Sequence, residues 1–414
     1  MARATIGLLP QVSTAHLVSH FHIMAVPALL PLLPGAMGVG FVELGFALGL
    51  FNVVSACVQA PLGFAVDRYG ARNVLLAGLA LGSASFVALA VAPTYAVLLV
   101  AMAVAGVANG VYHPADYALL SRGIKPGRMG RAFSIHTFAG YLGSAIAPAT
   151  LMTIAGVTNL AAAFAATAII GLLAIALVRL PSRETAAERQ AARQASGAAA
   201  RPGANGNAAA SPRSLFTPAI LVLTLLFVLL NLSASAIERF SVSALVKGFD
   251  VPLTWANSAL TAFLFASAFG VLAGGSLADR TRHHGFVAAT AFGLAAMLVA
   301  VVAMVSLPLP LLVVVLGTAG FLTGVIAPSR DMLVRAAAPP GAEGKTFGIV
   351  MTGFNIGGTV GPVMFGWLLD HGRYSGIFAA SVAFMLLTVL LTLGQEWRAR
   401  TVRLRSTGEA IGRA

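Results

Sequence analysis

Gly63-Phe64-Ala65-Val66-Asp67-Arg68-Tyr69-Gly70-Ala71-Arg72 forms a short charged break between two long apolar stretches, and it returns as Gly275-Ser276-Leu277-Ala278-Asp279-Arg280-Thr281-Arg282 between two more. A second region repeats without a gap at a constant offset of 214 residues. Pro114, Pro126, Gly127, Gly130, Phe133, Gly143 and Pro148 fall on Pro328, Pro340, Gly341, Gly344, Phe347, Gly357 and Pro362. Both copies place the charged loop after the second apolar segment and the Pro-Gly loop after the fourth. The halves therefore run in the same direction, as parallel repeats related by an axis along the membrane normal. An inverted repeat would put the copied loops on opposite sides.

Composition points the same way. With 58% hydrophobic and 9% charged residues and a mean hydropathy of +0.89, the chain is too apolar to be solvated as a globule. It offers twelve runs long enough to cross roughly 30 Å of hydrocarbon. They lie near 14–34, 42–61, 73–92, 96–120, 132–154, 158–179, 216–240, 254–277, 286–306, 310–336, 346–369 and 374–395. The expected fold is an all-α membrane protein of twelve transmembrane helices in two six-helix bundles. The expected units are an N-terminal bundle (1–180), a linker (181–215), a C-terminal bundle (216–396) and a basic tail (397–414).

Orientation follows from the cations. Arg68, Arg72, Arg122, Lys125, Arg128, Arg131, the linker, Arg280, Arg282, Lys345 and the tail arginines fall on one side, against Lys247 and Arg373 on the other. This predicts cytoplasmic termini and a cytoplasmic linker in a bacterial inner membrane. The net charge of +13 is then a topology signal, and no nucleic-acid partner is expected because no basic patch forms a domain of its own. The first apolar run is long enough to span and lacks a cleavage site, so it is expected to remain as a span. The single cysteine, Cys57, lies in the second span. An intrachain disulfide is excluded, packing is its expected role, and no metal, cofactor or catalytic chemistry is indicated. The linker is rich in Ala, Arg, Gly and Asn and nearly empty of large apolar groups, so it cannot bury enough surface to offset its ordering entropy.

The twelve-span plan, the duplicated Gly-x-x-x-Asp-Arg loop and the long linker resemble the major facilitator superfamily across essentially the whole chain. Within it, His16 and His20 in the first span and Tyr112-His113-Pro114-Ala115-Asp116 in the fourth are most similar to the fosmidomycin-resistance-type branch. That branch usually carries acids where His20 and Ala115 stand here, and this chain has its acid one place later, at Asp116. The resemblance implies that Gly63, Asp67, Arg68, Gly70 and Arg72, with Gly275, Asp279 and Arg280, latch the bundles in one conformational state. On chemistry alone, Arg68 and Arg72 can bridge to acids across the cytoplasmic face, and Gly63 can let a helix approach closely. A plain topogenic loop is the alternative.

Ala139, Gly143 and Ala147, and likewise Gly353, Gly357 and Gly361, place small residues four apart on one helix face. These faces are expected against the opposite half, with packing inside one bundle as the alternative. Pro148 and Pro362 follow at equivalent depth.

Polar groups inside spans are expensive and mark the chemistry. His16 and His20 share a face, and Asn109, His113 and Asp116 form another stripe at i, i+4 and i+7. His20 with Asp116 is the expected proton-coupling pair, with His16 and His113 as neighbours. His113 could instead serve the helix bend at Pro114, while His22, off the stripe, and His136, standing alone, read as structural. Asn231, Glu238, Arg239, Arg330 and Asp331 join Asn109, Tyr112 and Asn355 as candidates for the substrate cavity. The adjacent opposite charges could also simply pair locally.

Gly344-Lys345-Thr346 resembles a phosphate loop but lacks its upstream glycine, since Pro339 stands there. The arginine that many drug/proton antiporters carry on the fourth span is Met102. The reading is a monomeric, non-enzymatic secondary transporter that binds protons and a small molecule within the bilayer. Efflux of an anionic or amphiphilic compound leads, followed by proton-coupled uptake of a metabolite such as an organic acid, then a transporter-like sensor.

Overall fold

A computed structural model describes residues 6–124, 129–181, 217–281, 284–337 and 343–411. Residues 125–128 and 182–216 (the latter holding the expected linker from residue 182 on), Arg282, Pro340 and Gly341 lie outside the described residues, as do the side chains of Asp279, Lys345 and the tail arginines. Fourteen α-helices and one π-helical turn build the described chain, with no strand among them. In the first half, α1 (Leu8–Leu29) and a short α2 (Leu33–Met37) lead into α3 (Phe41–Tyr69), α4 (Ala71–Val91), α5 (Tyr95–Gly123), α6 (Met129–Val157) and α7 (Leu160–Arg179). In the second, α8 (Pro218–Ser235) runs through a π-helical turn (Ala236–Phe240) into α9 (Ser241–Gly248). It is followed by α10 (Leu253–Arg280), α11 (His284–Met304), α12 (Leu309–Ala337), α13 (Glu343–Asp370) and α14 (Ser375–Ile411).

Eleven helical runs are long and apolar enough to cross a membrane, with α8 through α9 counting as one. The twelfth span is α1, whose 22 residues include Gln11, His16, His20 and His22. These side chains lower its hydropathy, and burial against α5, α6 and α7 shields most of them from lipid. Several boundaries differ from the sequence reading, among them the end of the second span, which runs on through Asp67 and Arg68 to Tyr69. The first span begins at Leu8, the seventh continues past Glu238 and Arg239 to Gly248, and the last runs into the basic tail as far as Ile411. Charge ends an apolar run, but it does not end a helix whose backbone bonds continue.

The halves touch along α3 with α13 and along α6 with α10. Gly45 packs its backbone on Pro362, and a Cβ at Gly49 would lie 2.9 Å from the Thr359 carbonyl oxygen. Asn52 donates from Nδ2 to the Gly358 carbonyl at 2.9 Å, and Asn257 donates to the Pro148 carbonyl at 3.4 Å. The prolines thus lie at the junction of the halves, but the small-residue faces do not, contrary to the expectation. Gly143 sits on the backbone of Leu17 in α1, while Cβ atoms at Gly353, Gly357 and Gly361 would meet Phe227, Asn231 and Leu232 of α8 at 2.9–3.0 Å. The reason is helical phase. Pro148 and Pro362 each follow the last-but-one stripe glycine or its neighbour by five residues, roughly 140° around the helix, so prolines and glycines face different neighbours.

Gly143→Val is therefore expected to destabilise the protein by about 1–3 kcal/mol, because the Leu17 backbone cannot move aside like a side chain. Gly63→Ala is expected to cost no stability, since no atom lies within 4 Å of a Cβ there and alanine is the better helix former. Thermal unfolding of both variants in detergent checks this, and equal melting temperatures would show that α1 yields.

Candidate functional site

Three helices of the first half bring five ionisable side chains together. Asp116 on α5, with 0% of its surface exposed, lies 3.3 Å from His16 Nδ1 of α1 and 3.6 Å from His136 Nε2 of α6. The His16 ring stacks on His136 at 3.9 Å between centroids and lies 4.7 Å from His20 and 5.5 Å from His113. The close fit depends on Gly140, where a Cβ would lie 2.8 Å from His16 and 3.0 Å from His20.

The carboxylate's nearest partners are thus His16 and His136, not His20. His20 Nδ1 instead lies 3.3 Å from Ser144 Oγ. His136, read from the sequence as standing alone, is part of the cluster. Its signal was present: His136, Gly140 and Gly143 share one face of α6, and the glycines mark that face as the one against α1. His22 lies apart, with Nε2 3.2 Å from the Thr167 carbonyl oxygen.

The rest of the expected α5 stripe divides among neighbours. Asn109 donates to Ser55 Oγ of α3 at 2.8 Å, and buried Tyr112 turns toward Gly82 of α4. His113 reaches the space between the halves.

That space is a cavity of about 800 Å³ bounded by α3, α5 and α13, with Gln59, His113, Tyr117, Asn355 and Thr359 among its walls. Cys57 also lines it and is exposed, rather than packed as expected. Because His113 belongs both to this wall and to the surroundings of His16, the cavity borders the buried cluster. Toward the other end of α3 the halves are joined. The amides of Phe41 and Val42 donate to Asp370 Oδ1 and Oδ2 at 2.8 Å each. The Gly40 amide donates to Glu43 at 3.0 Å. A carboxylate from α13 therefore caps α3, where free amides and the helix dipole favour negative charge.

A second cavity, of about 150 Å³, lies against α8 and α12 and is lined by Tyr141, Asn231, Ser235, Glu238, Arg239 and Arg330 among others. The π-helical turn changes the helix phase where Glu238 and Arg239 occur. Arg330 bonds locally to Asp331 at 2.9 Å and lies over the rings of Phe227 and Phe354 at 4.9 and 5.1 Å. The stacking fixes the guanidinium plane at the cavity wall.

The repeated segment is largely helical rather than a loop: Gly63 to Arg68 lie at the end of α3 and Gly275 to Arg280 at the end of α10. Gly70, at φ +87°, makes the turn between α3 and α4. Arg72 donates to Gln11 Oε1 at 3.0 Å and to the Val178 carbonyl, both within its own half. Arg68 lies over the Tyr69 ring. A Cβ at Gly63 or Gly275 would meet open space, so neither supports the close helix approach expected of Gly63.

A family model, Major Facilitator Superfamily, matches residues 12–259 and 239–410. The chain belongs to this superfamily. It is 26% identical over 411 residues to the fosmidomycin resistance protein of Escherichia coli (strain K12), covering 95% of this chain and 93% of that one. It is 25% identical to the uncharacterized MFS-type transporter YfnC of Bacillus subtilis (strain 168), over 92% and 90% of the two chains. Its fold also matches a bacterial homologue of the human lysosomal transporter Spinster, solved in an inward-facing and occupied conformation. The TM-score is 0.69 at 12% identity, covering 94% of this chain and 96% of that one. The protein is thus a multi-pass membrane protein of a transporter family whose relatives include a resistance protein.

Proposed function

We propose that this protein is a proton-driven exporter of a small anionic or amphiphilic compound, working by alternating access in a bacterial inner membrane with both termini cytoplasmic. The observation that carries the reading is the cavity of about 800 Å³ between the halves, open beside a buried carboxylate and histidines while α3 and α13 are joined beyond it. Exchanging which end is joined would expose the cavity to the other side of the membrane. Cations concentrated at the Asp67 end support a cytoplasmic opening. The resistance-type relative supports export, and Arg239 and Arg330 supply positive charge for an anionic part of the substrate. The helix ends around Asp67 and Asp279 are proposed to engage the opposite half when their end closes.

Protein in liposomes should release fosmidomycin or small anionic or amphiphilic compounds against a gradient when protons flow the other way. Reversing the pH gradient should reverse the flux. Accumulation of organic acids in the same direction as protons would instead establish uptake, and substrate binding without any flux would establish a sensor.

A further inference from the structure

We propose that His16, Asp116 and His136 form a binding site for one first-row divalent transition-metal ion, of the zinc and cobalt kind. One ligand atom from each residue lies within 4.8 Å of the other two, and all three residues are buried.

The spacing suits such an ion. Ligands held about 2.0–2.2 Å from a tetrahedral metal stand about 3.4 Å apart. His16 Nδ1 and His136 Nε2 lie 3.3 and 3.6 Å from Asp116 Oδ2.

The orientation argues further. Although these atoms are close, neither ring nitrogen and neither Asp116 oxygen makes a hydrogen bond. Four unpaired polar atoms in one buried spot are costly. A cation drawn to their lone pairs satisfies them together, with no N–H needing to point at an oxygen. A divalent ion also offsets the negative charge of a carboxylate with 0% exposure.

The donor set sets the preference. Two imidazoles and one carboxylate suit zinc, cobalt or nickel, whereas magnesium and calcium favour oxygen ligands. His20 and His113 stand next to His16, and His113 also lines the large cavity, which gives the ion a route from water.

The inference does not depend on substrate or on transport direction, because it is read by binding alone. Protein purified without a polyhistidine tag is titrated with cobalt(II), following the visible absorption of the ion, and then challenged with zinc or magnesium. One cobalt per chain is expected, with a tetrahedral-type spectrum, displaced by zinc and unaffected by magnesium. His136→Gln and His16→Ala should each weaken binding by more than the roughly 10–100-fold typical of a lost second-shell contact. His22→Ala, at a buried histidine outside the cluster, should leave affinity unchanged, and melting temperatures identify any variant that has unfolded. A folded His136→Gln protein with wild-type affinity, or wild-type protein that binds no cobalt, overturns the site. A metal-bound Asp116 cannot also carry the coupled proton, so flux is measured on metal-free protein, and the transport reading then stands or falls separately from cobalt binding.

Discussion

Asp116→Asn is expected to abolish accumulation of substrate against a gradient while leaving counterflow exchange intact. Coupling to protons needs a group that can take up and release one within the span, and an amide has lost that ability. Asparagine matches aspartate in volume, so packing against His16 and His136 is retained. Substrate affinity should remain within about tenfold, equivalent to about 1.4 kcal/mol. Exchange of labelled for unlabelled substrate needs no net proton movement and should proceed at a rate near the wild type. Uphill transport that survives in both Asp116→Asn and His136→Ala would move the coupling site to Glu238 in the second-half cavity.

Gly45→Val is expected to stop transport by a different route. At Gly45 an added Cβ would lie 2.6 Å from the Pro362 carbonyl carbon and 3.0 Å from the Val363 nitrogen. These are backbone atoms of a helix in the other half, so relief requires α3 and α13 to part where Asp370 now joins them. The conformation with an open cavity beside Cys57 would then be depopulated. Cys57 provides the measurement, because it is the chain's single cysteine and it is exposed at that cavity. Its alkylation by a maleimide should slow at least about tenfold, corresponding to a shift of about 1.4 kcal/mol. Unchanged alkylation together with wild-type flux would show that the contact between α3 and α13 is not a gate.

The fold was legible because duplication leaves evidence that survives divergence. Asp67 and Asp279, and Pro148 and Pro362, recur at matched places, and repeated loops on one side settle the relation of the halves. The site was only partly legible. Helical spacing tells which residues of one helix share a face, but not which helix that face meets. Asn109, His113 and Asp116 therefore read as one stripe, while in space they meet α3, the large cavity, and the histidines of α1 and α6. His136 has no polar partner on its own helix, so it became visible as part of the site only once α6 was placed against α1. The Asp370 cap on α3 was hidden for the same reason, since it joins residues 328 and 329 positions apart.

The polarity of α1 also bears on how the protein is made. A segment carrying Gln11, His16, His20 and His22 enters a bilayer reluctantly by itself, because each polar group loses water without gaining a partner. Its densest contacts are with α6, which begins 100 residues after α1 ends. At ordinary synthesis speeds of about 5–20 residues per second, that is about 5–20 s of waiting. During this interval α1 must be held by the insertion machinery or at the membrane surface. Replacing His16 and His20 with leucine should let α1 insert at once, as glycosylation-reporter mapping of truncated chains would detect, at the expense of the groups that line the finished site.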